Sequence, residues 1–208
     1  MPTACSRLPC TVRPLRSANW LAATAERVGT DFVAIGHNSN LSNGRFFPLV
    51  DEDGNAIDAE YARLRNRWEP VEEMTQYKGD SETHPLLSPS DEFADFERYQ
   101  HLLDGGPLEH VEGSYARSGL IRGMQVEARL GINPYKFGMI GATDTHTGLA
   151  SAEEGNFLGK YAQDSVPETK AKETVPGSVG WDASAMGFAG VWATENTRDA
   201  ITAAFKRK

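Results

Sequence analysis

Two short apolar runs constrain this chain more than anything else in it: Asp31-Phe-Val-Ala-Ile-Gly-His37 and Phe137-Gly-Met-Ile-Gly-Ala-Thr143. Each is rich in residues that suit a pleated strand and runs directly into turn formers. Helical periodicities stand between and around them. Ser17 to Gly29 has a capping Ser, apolar positions at Trp20, Leu21, Ala25 and Val28, and a terminal Gly. Ala59 to Trp68, after an Asp53-Gly54 turn, reads as a polar, charged helix. Tyr115 to Leu130, closed by Gly131, places Leu120, Ile121, Met124 and Ala128 on one face and leaves Arg117, Arg122 and Arg129 to the other. Val71 to Tyr77 is a weaker strand and Phe188 to Ala193 a final short one. Asn196 or Thr197 then caps a last helix with Ile201, Ala204 and Phe205 on its apolar side. Strands alternating with helices predict an α/β domain with mostly parallel strands. In such folds ligand sites gather at the carboxyl ends of the strands.

The remaining segments read as connections. Asn38 to Gly44 is dense in turn residues, and Lys78 onward is a long Ser/Pro/Asp segment expected as a surface loop. The Phe93, Phe96 and Tyr99 spacing predicts a short helix beyond it. Gly148 to Trp181 is rich in Gly, Pro, Glu and Lys and is expected as a lid or excursion loop. At 208 residues one domain suffices. The formal charge of -8 argues against a nucleic-acid partner, which would call for a basic face, and the basic end Phe205 to Lys208 reads as cations at a helix C-terminus. No apolar run approaches the roughly 18 to 20 residues of a membrane span. Met1 to Arg16 has no apolar h-region, so the expectation is a cytoplasmic protein with no membrane partner. Cys5 and Cys10, without a histidine nearby, are expected as free thiols.

Chemistry concentrates where the strands end. If the second run stays extended, Asp144 and His146 point to the same side. A carboxylate beside an imidazole suits a divalent cation such as Mn, Zn or Fe. His37 holds the equivalent place after Val33-Ala-Ile35. Taken singly, Asp144 is better explained as a turn or cap residue and His37 and His146 as polar loop histidines. Their shared placement brings the metal reading level with that one, and both stand. His84, His101 and His110 are expected exposed. Lys78 and Glu82 read as solvated loop charges or as contacts to a substrate.

Three stretches in order, Ala34-Ile-Gly-His-Asn-Ser-Asn-Leu-Ser-Asn-Gly44, Gln76-Tyr-Lys-Gly-Asp-Ser-Glu-Thr-His-Pro-Leu-Leu87 and Gly141-Ala-Thr-Asp-Thr-His-Thr-Gly148, resemble the bacterial domain-of-unknown-function family 3604. That family is related to the polymerase and histidinol phosphatase (PHP) superfamily of metal-dependent phosphoesterases, and the resemblance leaves export open beside the cytoplasmic expectation. The resemblance covers residues 17–208 and implies a partial distorted β/α barrel with divalent metals at the strand ends. His37, Asp144 and His146 are then the metal ligands. Asp144 and His146 are the catalytic pair, and the reaction is phosphoester hydrolysis by metal-activated water on a small phosphorylated molecule. Asn38, Asn40, Arg45 and Lys78 are the residues expected to meet substrate oxygens, Arg45 as an anion clamp.

The chain departs from the superfamily pattern in one respect. No His-x-His motif occurs anywhere in it, and no histidine precedes His37. Residues 1–16 do not resemble the family, so the expectation is the C-terminal part of a catalytic domain behind an unrelated leader. The rival reading is a catalytically silent fragment that lacks the other metal ligands.

Overall fold

The computed structural model describes residues 14–96, 98–102, 105–146, 161, 168, 172–175, 178–179 and 187–208. Cys5, Cys10, most of the leader and most of the 148–181 loop lie outside the described residues. Among the described residues are four α-helices: α1 (Pro14–Val28), α2 (Ala59–Trp68), α3 (Ala116–Leu130) and α4 (Arg198–Arg207). The strands are β1 (Ile35–Gly36), β2 (Val71–Gln76), β3 (Gly79–Asp80) and β4 (Gly138–Gly141), with a separate pair, β5 (Glu173–Val175) and β6 (Ser178–Val179).

The weakest strand in the sequence is the centre of the sheet. Val71 of β2 pairs in parallel with both Ile35 of β1 and Gly138 of β4, and Thr75 pairs with Gly141 of β4 and, antiparallel, with Asp80 of β3. The domain is therefore mixed α/β with a small, open, mixed sheet, rather than a mostly parallel one, because β2 turns back at once through Tyr77 and Lys78 to form β3. β1, β2 and β4 all run the same way. Their carboxyl ends deliver His37, the Gln76 to Lys78 turn and the Ala142 to His146 segment to one end of the sheet.

The helices begin and end on identifiable signals. Asp58 caps α2, its Oδ1 accepting from the Tyr61 N–H at 2.8 Å, and Thr197 caps α4 by accepting from the Ala200 N–H at 3.3 Å. Gly131 closes α3 in the left-handed conformation, φ 72°. α1 starts at Pro14, three residues before the Ser expected to cap it; proline suits the first helical turn because its missing N–H has no partner there.

The core joins Phe47, Ile57, Tyr61, Val126 and Tyr135, with Phe46, Leu49, Leu130 and Phe137 packed against it. Arg65 is buried inside this cluster, its guanidinium 4.8 Å from the Phe46 ring centroid and 5.0 Å from that of Tyr135. Its polar atoms are matched: Nη1 donates to the Phe46 carbonyl and to Tyr61 Oη, and Nε pairs with Glu69 at 2.9 Å. α3 buries Ala116, Gly119, Gly123 and Val126, the face opposite to the expected apolar one, while Ile121 and Met124 are 55% and 58% exposed. The reason is closeness of approach. A Cβ on Gly119 would meet the Phe47 ring at 2.8 Å, and one on Gly123 would overlap the Asn133 side chain.

Four further expectations are corrected. The segment after Lys78 is a surface loop only beyond Pro85: Ser81, Thr83 and His84 are buried, and the Ser81 and Glu82 carbonyls accept from the Ala116 and Arg117 N–H groups, so its first stretch satisfies the first turn of α3. His84 consequently sits beneath solvent, its Nδ1 accepting from the Leu86 N–H at 3.1 Å and its Nε2 2.9 Å from Arg98 Nη1. Burial, followed by the Arg98 charge, lowers its pKa. His101 and His110 are exposed, as expected. Phe93 and Phe96 belong to successive turns rather than a helix, because the Asp91 carboxylate takes the Phe93 N–H and competes with a helical ladder. Residues 188–193 form no strand. The residue before them, Gly187, donates its N–H to the Ala142 carbonyl, and Phe188 and Trp192 are exposed.

Candidate metal centre

The three motif stretches meet at the carboxyl end of the sheet. Chain reversal after β1 is made by Asn38 at φ 57°, a left-handed conformation that Asn tolerates better than most residues. The polar turn that follows is stitched to the β2–β3 connection. Gln76 Nε2 donates to Asn38 Oδ1 at 3.0 Å, Gln76 Oε1 accepts from the Lys78 N–H at 2.7 Å, and Asn40 Nδ2 donates to the Lys78 carbonyl at 2.9 Å. Ser81 Oγ donates to Asn40 Oδ1 at 3.1 Å. Asn40 is fully buried with both ends of its amide engaged, so it fixes the loop and does not face the open side of the site.

Lys78, held on both sides of its backbone, sends its ammonium to Asp144 Oδ2. It is 4% exposed, and burial with a carboxylate partner replaces the solvated loop charge expected from sequence. Glu82, by contrast, is half exposed and pairs with Arg117 at 2.6 Å.

Asp144 is the hub. Strand pairing stops at Gly141, and Asp144 itself adopts φ 52°. The convergence of Asp144 and His146 is therefore made by a left-handed turn, not by alternation along a strand that persists. His146 Nε2 lies 3.6 Å from Asp144 Oδ1, and His37 Nε2 lies 3.7 Å from the same oxygen. The other nitrogen of His37, Nδ1, is 2.9 Å from Glu73 Oε1. The His146 ring stands edge-on to Tyr161, centroids 4.9 Å apart. The carboxylates of Glu73 and Asp144 and the Lys78 ammonium are each nearly buried, whereas the two imidazoles are about half exposed.

Sequence reasoning missed Glu73. Its neighbour Glu72 points to the opposite face of β2, against Gly36, where burial pushes its pKa well above the ordinary carboxylate value, with the Arg65 charge opposing. The signal for Glu73 was the adjacent pair itself, since two successive acids in one strand cannot both face the same side. Arg45 is placed elsewhere: it is exposed and lines a hollow of about 520 Å³ with Asn43, His110, Glu112 and Arg122.

The donor set can be weighed against a cation directly. Neighbouring donors on a tetrahedral ion with bonds of about 2.0 to 2.1 Å stand roughly 3.3 to 3.4 Å apart, close to the two Nε2–Oδ1 separations. With the His37 Nδ1 proton directed to Glu73, Nε2 carries the lone pair, the arrangement metal-binding histidines use. Two carboxylates and one ammonium also leave a net negative charge that favours a cation over an anion. Among the described residues, however, no three His, Cys, Asp or Glu side chains stand together as a finished cage. The two Nε2–Oδ1 spacings are thus the one feature that matches a single ion, and nothing among the described residues matches a cluster of two or three.

Among the described residues no helix is long and apolar enough to cross a membrane. The model of one family, described as "Protein of unknown function (DUF3604)", matches residues 11–208. No curated protein and no solved structure matches the chain.

Proposed function

We propose, from the premise that this chain belongs to the DUF3604 family, that it is a PHP-like metal-dependent hydrolase acting on a small phosphoester. The open sheet is read as a sector of a distorted β/α barrel, with the site at the shared carboxyl ends of β1, β2 and β4. One observation carries the functional reading: His37 Nε2 and His146 Nε2 approach the same oxygen of Asp144 while Glu73 holds the far side of His37.

His37, Asp144 and His146 would hold one divalent cation, Mn, Zn or Fe. Such an ion supplies Lewis-acid activation of water and charge neutralisation at phosphoryl oxygens. The chain's own contribution is placement. Glu73 fixes the His37 ring and its tautomer, and Asp144 is locked by its left-handed turn and by Lys78. The half-exposed imidazoles leave the open side to substrate. Asn38, whose amide Gln76 orients, is the donor assigned to substrate oxygens; Arg45 would clamp a more distant anionic group from its own hollow.

The test is a screen of p-nitrophenyl phosphate and cyclic nucleotides with Mn, Zn or Fe supplied, using wild type beside an Asp144→Ala/His146→Ala double variant. Metal-dependent turnover that the double variant lacks is expected. Equal activity in both proteins would sink the assignment. A catalytically silent binding protein is favoured by one observation, the Lys78 ammonium already neutralising Asp144; it predicts metal uptake or none, with no turnover of any phosphoester.

A further inference from the structure

The turn that carries Asp144 and His146 starts from a residue pinned on both sides. The Ala142 N–H donates to the Thr75 carbonyl of β2 at 3.0 Å, and the Ala142 carbonyl accepts from the Gly187 N–H at 2.9 Å. Pairing of β4 with β2 ends one residue earlier, at Gly141, and two residues later Asp144 takes φ 52°. Rotation of the peptide plane that bears the Ala142 carbonyl would swing everything beyond it, the Asp144 carboxylate and the His146 ring included. Lys78 holds that carboxylate at its tip; the Gly187 bond holds the backbone that brings it there.

Gly187 belongs to none of the three motif stretches, yet it lies hard against the end of β4. A Cβ on Gly187 would meet the Gly141 Cα at 2.8 Å, the Thr75 Cγ2 at 3.0 Å and the Ala142 nitrogen at 3.2 Å. The same closeness holds from the other side, where a Cβ on Gly141 would meet the Gly187 Cα at 3.0 Å and the Phe188 nitrogen at 3.1 Å. Backbone atoms cannot yield as the end of a flexible side chain can, so only glycine at both positions lets the bond keep its length. Gly190, three residues on, would carry a Cβ that meets nothing within 4 Å. The tight fit is therefore particular to Gly187.

We propose that Gly187 is a positioning residue for the candidate site: by taking the Ala142 carbonyl at a separation that only glycine permits, it sets the direction in which the chain leaves β4 and so where Asp144 and His146 stand. This placement involves no bound ion. Its bearing on turnover rests on the hydrolase reading above.

Imidazole NMR resonances of the five histidines in the full chain, assigned with single His→Gln variants, report the placement without metal or substrate. Gly187→Ala is expected to displace the His146 resonances and to leave those of His84, His101 and His110 where they are in wild type. Gly190→Ala is expected to match wild type throughout. Gly141→Ala tightens the same contact from the β4 side with a milder clash; it too is expected to displace His146, and it decides the question should Gly187→Ala not fold. His146 unmoved in the deciding variant, or moved as far in Gly190→Ala, overturns the proposal; a lower Tm with His146 unmoved identifies Gly187 as packing alone. In the phosphatase screen Gly187→Ala is expected to lower kcat about tenfold to a hundredfold with little change in KM. An unchanged kcat beside a displaced His146 overturns the bearing on turnover, whereas no turnover in wild type sinks the hydrolase reading and leaves the resonances to decide the role of Gly187.

Discussion

In the metal reading proposed above, Glu73 acts at one remove from the ligands. Its carboxylate, nearly buried, lies 2.9 Å from His37 Nδ1, and carboxylate partners of this kind raise the basicity of the opposite ring nitrogen. Glu73→Gln keeps an acceptor oxygen but removes the charge. We expect Mn(II) affinity to fall about tenfold to a hundredfold, measured by titration, with the fold intact by circular dichroism; an unchanged affinity would mean that Glu73 only packs. His37, Asp144 and His146 were legible in the sequence because an acid and two imidazoles follow apolar runs, where strands end. Glu73 was not, and Lys78 was named only as a substrate contact, not as a buried partner of Asp144. A strand acid and a loop lysine normally face water, and only the distant partners His37 and Asp144 reveal that these two are buried.

At the scale of elements, periodicity located α2 and α3 to within a residue or so, and it misjudged which side of α3 is buried. Hydrophobic content favours Ile121 and Met124, yet packing favours the glycines, because only a bare backbone lets Phe47 and Tyr135 come close. Gly119→Leu should overpack that contact and cost about 2 kcal/mol, while Met124→Gln should stay within about 0.5 kcal/mol of wild type. Urea midpoints would read both, and the reverse order would put the buried face back where hydrophobicity predicts it. β2 was hard to see for a related reason. Val71-Glu-Glu-Met-Thr-Gln76 alternates poorly, since its acids serve a site on one face and a buried carboxyl on the other.

For the molecule as a whole, a cation that binds only the folded chain must stabilise it. At a Mn(II) concentration a hundredfold above the dissociation constant the gain is about 2.7 kcal/mol, a rise in Tm on the order of 5 to 10 °C for a domain of this size. Chelation should reverse it, and a Tm indifferent to Mn(II), Zn(II) and Fe(II) would count against a metal centre. The ladder that assembles this centre has a further effect on how the chain reaches its native state. Glu73 finds His37 across 36 residues and Lys78 finds Asp144 across 66, so large loops must close before either contact contributes. Helices such as α3 depend on local contacts and can form within microseconds. In a refolding experiment, helical signal is therefore expected first and the His37–Glu73 and Lys78–Asp144 contacts last, so that cation uptake, if the proposed centre forms, would serve as a clock for the completion of folding.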